Sequence, residues 1–175
     1  MARVGLVLLA LGPLLVAAYA AVNRSAIQAA AKAQVNGAQW EGGLVGADGL
    51  TSLGVDAWRV ILGIALLVGA VAVAYVAIGV LLRRRTRGRT FLLVLSGFLI
   101  LPYALGFLVA LADPVRALAG LYDKPDFEDG IPSWQAATAF LLPAAGLAQA
   151  VGLVLAGRRT SKAGDESAVP SASQP

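Results

Sequence analysis

Residues 4–22, 60–82, 91–112 and 134–156 form four stretches of nineteen, twenty-three, twenty-two and twenty-three residues without one ionised side chain. A helix crosses the hydrocarbon core of a bilayer with about 20 mostly apolar residues, at about 1.5 Å per residue. Each stretch meets that requirement. Backbone in hydrocarbon must satisfy its own hydrogen bonds, which a helix does internally and an open strand cannot. The stretches also lack the alternating polar positions of a membrane barrel. The expectation is an all-α integral membrane protein, a bundle of four transmembrane helices.

Arginine then orients the bundle. Arg83, Arg84, Arg85, Arg87 and Arg89 fall within seven residues between the second and third stretches. Lys and Arg in short loops favour the cytoplasmic side. With loop 83–90 inside, the N- and C-termini are cytoplasmic too. The inner segments then carry nine basic and two acidic residues, net +7, and the outer segments five basic and eight acidic, net −3. The five arginines read as a topology signal and a contact for anionic lipid, worth about 1 kcal/mol each near the surface. Trp58 and Trp134 stand at the outer ends of spans two and four, where interfacial aromatics anchor.

The organisation expected is a membrane domain over 1–162, with outer loops 23–59 and 113–133, and a disordered cytoplasmic tail over 163–175 that is rich in Ser, Ala and Pro. The first span is read as a retained helix that continues outward for a few turns. Ala18-Tyr19-Ala20 keeps open the alternative of a cleaved signal peptide. Glycines at 37, 42, 43, 46, 49 and 54 end regular helix in the first outer loop. In the second, Asp113-Pro114 starts a short amphipathic helix with Val115, Leu118 and Leu121 on one face, expected to lie in the membrane interface.

Composition narrows the chemistry. The chain has no cysteine and no histidine. It therefore forms no disulfide and has no thiol nucleophile, no imidazole base and none of the usual zinc, haem or iron–sulfur ligands. Arginine outnumbers lysine eleven to three among abundant Ala, Gly, Val and Leu, a bias that suggests a GC-rich bacterial genome. Asp123, Asp126, Glu128 and Asp129 form an acidic cluster, but not with EF-hand spacing, and a solvated loop is expected. Residues 126–130 match the start of the D-x-x-D-G pattern of CDP-alcohol phosphotransferases. Ile131-Pro132-Ser133-Trp134 follow where that family continues with Ala-Arg and a further acidic group, so no kinship is drawn. No catalytic residue, cofactor or metal is expected, and no nucleic-acid partner.

The spans carry packing signals instead. Ala65 and Gly69 in span two, and Ala148, Gly152 and Ala156 in span four, stand four residues apart, the spacing that lets helix backbones approach. Gln149 is the most informative of the polar groups at depth and is expected to hydrogen-bond a neighbouring helix. Pro102 with Gly97 and Gly106, and Pro143 with Gly146, mark kinks in spans three and four. The function expected is a non-catalytic multi-pass protein of the bacterial cytoplasmic membrane. It would act as an accessory, scaffold or assembly subunit, with the lipid bilayer and another membrane protein or a second copy of itself as partners. The alternative is a small transporter or pore component whose path is lined by Gln149, Ser96 or Tyr103.

Overall fold

The computed structural model describes residues 2–38, 40, 42–84 and 89–165. Their regular structure is entirely helical: α1 (Ala2–Asn36), α2 (Ser52–Arg84), α3 (Arg89–Phe98), α4 (Ile100–Leu111), α5 (Pro114–Leu121), α6 (Pro125–Asp129), a 3-10 helix (Ala136–Phe140) and α7 (Leu141–Asp165). Four segments are long and apolar enough to cross a membrane: Val4–Asn36, Ser52–Leu82, Val94–Leu111 and Ala136–Leu155. Each contains or overlaps one of the uncharged stretches.

Contacts fix how the long helices run. Leu9 lies against Gly79 and Val16 against Gly69, so α1 and α2 are antiparallel. Gly5 meets Gly152, and Gly12 meets Gln149, so α1 and α7 are antiparallel as well. Tyr75 pairs with Ser96 and Val68 with Gly106, which sets the hairpin of α2 with α3 and α4. The start of α1, the end of α2 and the end of α7 therefore share one end of the bundle. α1 packs most extensively on α7 and α2, while α4 packs on α2 and α7. The α3–α4 span is the most peripheral, with Phe98, Leu101, Leu105 and Leu108 each exposed by 60% or more.

Prolines shape three of the four spans. Span three breaks at Leu99, between α3 and α4. Pro102 has no N–H for the Phe98 carbonyl, and its ring crowds that carbonyl, so the helix yields one turn ahead of the proline. In span four the 3-10 segment gives way to α7 at Leu141, just ahead of Pro143. Pro143 withholds a donor from Ala139 in the same way. Pro13 lies inside an unbroken α1. The carbonyl it leaves unpaired, that of Leu9, is taken up by another helix, as described below.

The loop between the first two long helices is shorter than expected. α1 has 35 residues, about 52 Å of helix, which exceeds a bilayer's hydrocarbon core by about 20 Å. α2 begins at Ser52, so only residues 37–51 lie between the two helices. Thr51 caps α2 by accepting from the Gly54 N–H at 3.2 Å. The projecting part of α1 becomes the spine of a small headpiece. Phe127 of α6 and Ala119 of α5 are fully buried in it, with Ile27, Ala30 and Leu50. A Cβ on Gly130 would come within 2.9 Å of the Ala30 Cα, so α6 ends tightly against α1.

The segment between α4 and the 3-10 helix corrects one expectation. Val115 and Ala119 are buried, but Leu121 is 78% exposed. On a helix, 115, 118 and 119 share a face and 121 does not. That face packs on α2, inside the headpiece. The acidic cluster is dispersed over separate structural tasks. Asp123 takes the left-handed conformation that ends α5, with φ 51°. Its N–H bonds the Gly120 carbonyl and the next N–H bonds Ala119, the Schellman arrangement. The Asp126 carboxylate rests on Gly37, and Glu128 lies 4.0 Å from Arg116. Among the described residues no three carboxylates converge.

Candidate functional site

Two clusters of amide side chains lie inside the bundle, and they set what its interior can do. The deeper one centres on Gln149 of α7, which is fully buried. Its Nε2 donates to the Leu9 carbonyl of α1 at 3.0 Å and to the Ala72 carbonyl of α2 at 2.8 Å. Its Oε1 accepts from the Tyr103 hydroxyl of α4 at 2.6 Å. One side chain thus ties its own helix to the other three spans.

Each partner is available for a local reason. The Leu9 carbonyl is free because Pro13, four residues on, has no N–H to offer it. Gly12 leaves the space, since a Cβ there would overlap the Gln149 amide. Tyr103 sits one residue after Pro102, just past the break in span three. Its ring packs on Gly146 of α7, where a Cβ would lie 3.3 Å from the ring. Tyr75 meets Tyr103 with the rings tilted by 51° and their centroids 6.1 Å apart, and it donates its hydroxyl to the Ser96 carbonyl at 2.6 Å.

The second cluster lies about three to four turns along α1, where the bundle meets the headpiece. Asn23 Nδ2 donates to the Tyr19 carbonyl and to Thr138 Oγ1, both at 2.9 Å. Gln135 Nε2 donates to Asn23 Oδ1 at 3.0 Å. The Thr138 hydroxyl donates to the Gln135 carbonyl at 2.7 Å. Asn23, Gln135 and Thr138 are all buried. The Tyr19 carbonyl only accepts, which fixes the orientation of Asn23 and then of Gln135. Gln135 Oε1 is left buried without a hydrogen-bond partner.

The other expected site residues are placed as follows. Ala65 is buried in the core, and Gly69 faces Val16 of α1 at 3.7 Å from an added Cβ. Gly152 lies against α1, where a Cβ would sit 2.9 Å from the Gly5 carbonyl. Ala148 is half-buried on α7. Trp58 is half-buried against the core with the Arg24 guanidinium 5.1 Å from its ring, a cation–π contact. Arg24 also lies 3.7 Å from Asp48. Trp134 is 47% exposed. Arg85 and Arg87, and the side chains of Arg83, Arg84, Arg89 and Ala156, lie outside the described residues. So does the tail beyond Asp165.

Sequence reasoning singled out Gln149 but missed Pro13, Gly12, Asn23 and Gln135. The signal for Pro13 was present, because a proline inside an uncharged span always frees a carbonyl four residues back. Asn23 was assigned to a loop, although four-residue spacing puts it on the face of Tyr19 and Ile27 once α1 is known to continue. The chain matches no family model, no curated protein and no solved structure.

Proposed function

We propose that this chain is a non-catalytic multi-pass protein of the bacterial cytoplasmic membrane, serving as an accessory, scaffold or assembly subunit. The observation that carries the reading is the Gln149 junction. This fully buried glutamine spends both amide hydrogens and its carbonyl oxygen on three other helices. A conducting path or substrate site at that depth would need polar capacity free to meet water or solute. The junction spends that capacity on holding the helices in register.

The contact surface proposed is the peripheral α3–α4 span. It exposes a row of large apolar side chains. Beside it, a groove of about 270 Å³ runs between α4 and α7, with Phe107, Pro143, Gly146 and Ala150 among its walls. A second helix laid there would meet small residues and a kinked backbone, which favour close approach. Orientation follows the arginine excess: both termini and the turn after α2 on the cytoplasmic side, the headpiece outside.

The test is purification of the tagged full chain from its native membranes in a mild detergent, followed by complex mass and composition. The expected result is a stoichiometric second membrane protein. A preparation of this chain alone that moves solute across liposomes overturns the reading.

A further inference from the structure

We infer that α3 is a hinged half-span, a flap that pivots at Leu99 and swings off α2 into the lipid, with the Tyr75 hydroxyl as its latch. The motion needs no partner protein, so it stands apart from the scaffold reading.

The hinge has a local cause. Span three is interrupted at Leu99, between α3 and α4. Pro102 has already removed the N–H that would bond the Phe98 carbonyl. Bending at that point therefore breaks fewer helical bonds than bending elsewhere in the span. Gly97 stands two residues ahead of the pivot, with open space where a Cβ would be. Glycine holds the helical backbone less firmly than any residue but proline. On each side of the pivot the helix is intact, so both halves keep their backbone hydrogen bonds while one turns.

Packing decides which half moves. α4 is gripped from two sides, with Val68 of α2 close against Gly106 and the Tyr103 hydroxyl bonded to Gln149 of α7 at 2.6 Å. α3 packs on α2, beyond its own neighbour α4. Val94 is 54% exposed and Phe98 67%. A hollow of about 300 Å³ lies at the bend, walled by Val94, Gly97, Phe98, Ile100 and Leu101. Those walls all belong to span three, so the hollow faces lipid, and α3 can fold toward it without meeting another helix. The break in span four differs. Ala139, Leu142 and Ala145 flank it and are all buried, so that span is held on both sides of its break.

The forces that keep α3 closed are small in lipid. Water presses the apolar face of a soluble helix onto its core, but lipid tails are as apolar as leucine. A helix in the bilayer is held by packing contacts and by hydrogen bonds to its neighbours. For α3 these are Leu92, half-buried against the core, and the Tyr75 hydroxyl on the Ser96 carbonyl at 2.6 Å. Ser96 is three residues ahead of the pivot, on the moving half. Tyr75 is on the fixed side, buried on α2 with its ring against Tyr103. The bond therefore spans the joint that opens. A segment with few buried contacts and one such tie lies at the low end of local stability.

The test uses the full chain in lipid nanodiscs. Because it has no cysteine, spin labels attach only where they are placed. Val7→Cys on α1 is paired with Val94→Cys on α3, and in a second sample with Leu105→Cys on α4; all three positions are exposed on the bundle surface. Double electron–electron resonance then reads the distance distributions. The expected result is a closed and a displaced population for the Val94 pair and one population for the Leu105 pair. Tyr75→Phe removes the latch and should raise the ratio of displaced to closed about threefold, the worth of an average interhelical hydrogen bond in a membrane protein. The Leu105 pair should not change, which shows that the bundle is still folded. Pro102→Ala returns an N–H to the Phe98 carbonyl and should gather the Val94 distances into one population. A single Val94 population that Tyr75→Phe leaves unmoved overturns the hinge. Equal broadening of the Leu105 pair overturns the pivot at Leu99, and two populations retained in Pro102→Ala overturn its cause.

Discussion

Replacing Gln149 with Leu should destabilise the bundle, and Pro13 should decide by how much. The substitution nearly conserves volume, so the cost is the loss of hydrogen bonds. Three bonds disappear, but they are not equivalent. The Ala72 carbonyl lies mid-helix and keeps the N–H of the residue four on. The Leu9 carbonyl has no such fallback, because that residue is Pro13. The Tyr103 hydroxyl loses its acceptor. Two buried groups are left unpaired. Interhelical bonds in membrane proteins average about 0.6 kcal/mol and reach about 1.7, so the loss should be about 1–3 kcal/mol. Pro13→Ala restores an N–H to the Leu9 carbonyl and should lower the cost of Gln149→Leu. A double-mutant cycle on SDS-induced unfolding in mixed micelles, followed by far-ultraviolet circular dichroism, measures the coupling. We expect about 1 kcal/mol in the direction of a milder double mutant. Additivity within about 0.5 kcal/mol would refute the claim that Pro13 supplies the acceptor Gln149 uses.

Further predictions concern the second junction, the close approaches and the topology. Asn23→Leu leaves the Gln135 amide without its acceptor and should cost about 1–3 kcal/mol. Gln135→Leu deletes the unpaired Oε1 while orphaning Asn23 Oδ1, so it should be nearly neutral; equal costs in the same unfolding assay would contradict the hydrogen-bond pattern. Gly12→Ala drives a methyl into the Gln149 amide and should lower stability by about 1–3 kcal/mol. Gln149→Ala should relieve most of that clash, and a strictly additive double mutant would count against it. In a chain without native cysteine, Thr86→Cys should resist a membrane-impermeant thiol reagent in intact cells and react after permeabilisation. Labelling from outside would reverse the proposed topology.

Much of the scaffold was legible because its cause is local. A run of about 20 uncharged apolar residues has one stable backbone solution in hydrocarbon, whatever it packs against. Pro102 and Pro143 declared their breaks in the same way, since a missing N–H acts on a carbonyl four residues back in the same helix. The segments between the long helices were read less well. Leu121 was grouped with Val115 and Leu118, while Ala119 is the residue that packs. An alanine carries little hydrophobic weight in sequence, and its burial follows from how closely α2 approaches. Residues 23–36 were only partly recognised as helix, because the polar Asn23 and Gln34 are buried by partners more than a hundred residues away in one case and seventeen in the other.

The sequence by itself determined four span-length helices and the proline breaks in two of them, because each depends on the residue and its near neighbours. Only the tertiary structure decided which carbonyl meets Gln149, which amides meet at Asn23, and which acidic residues are kept apart. A hydrogen bond between helices depends on positions in space that no spacing along one helix encodes.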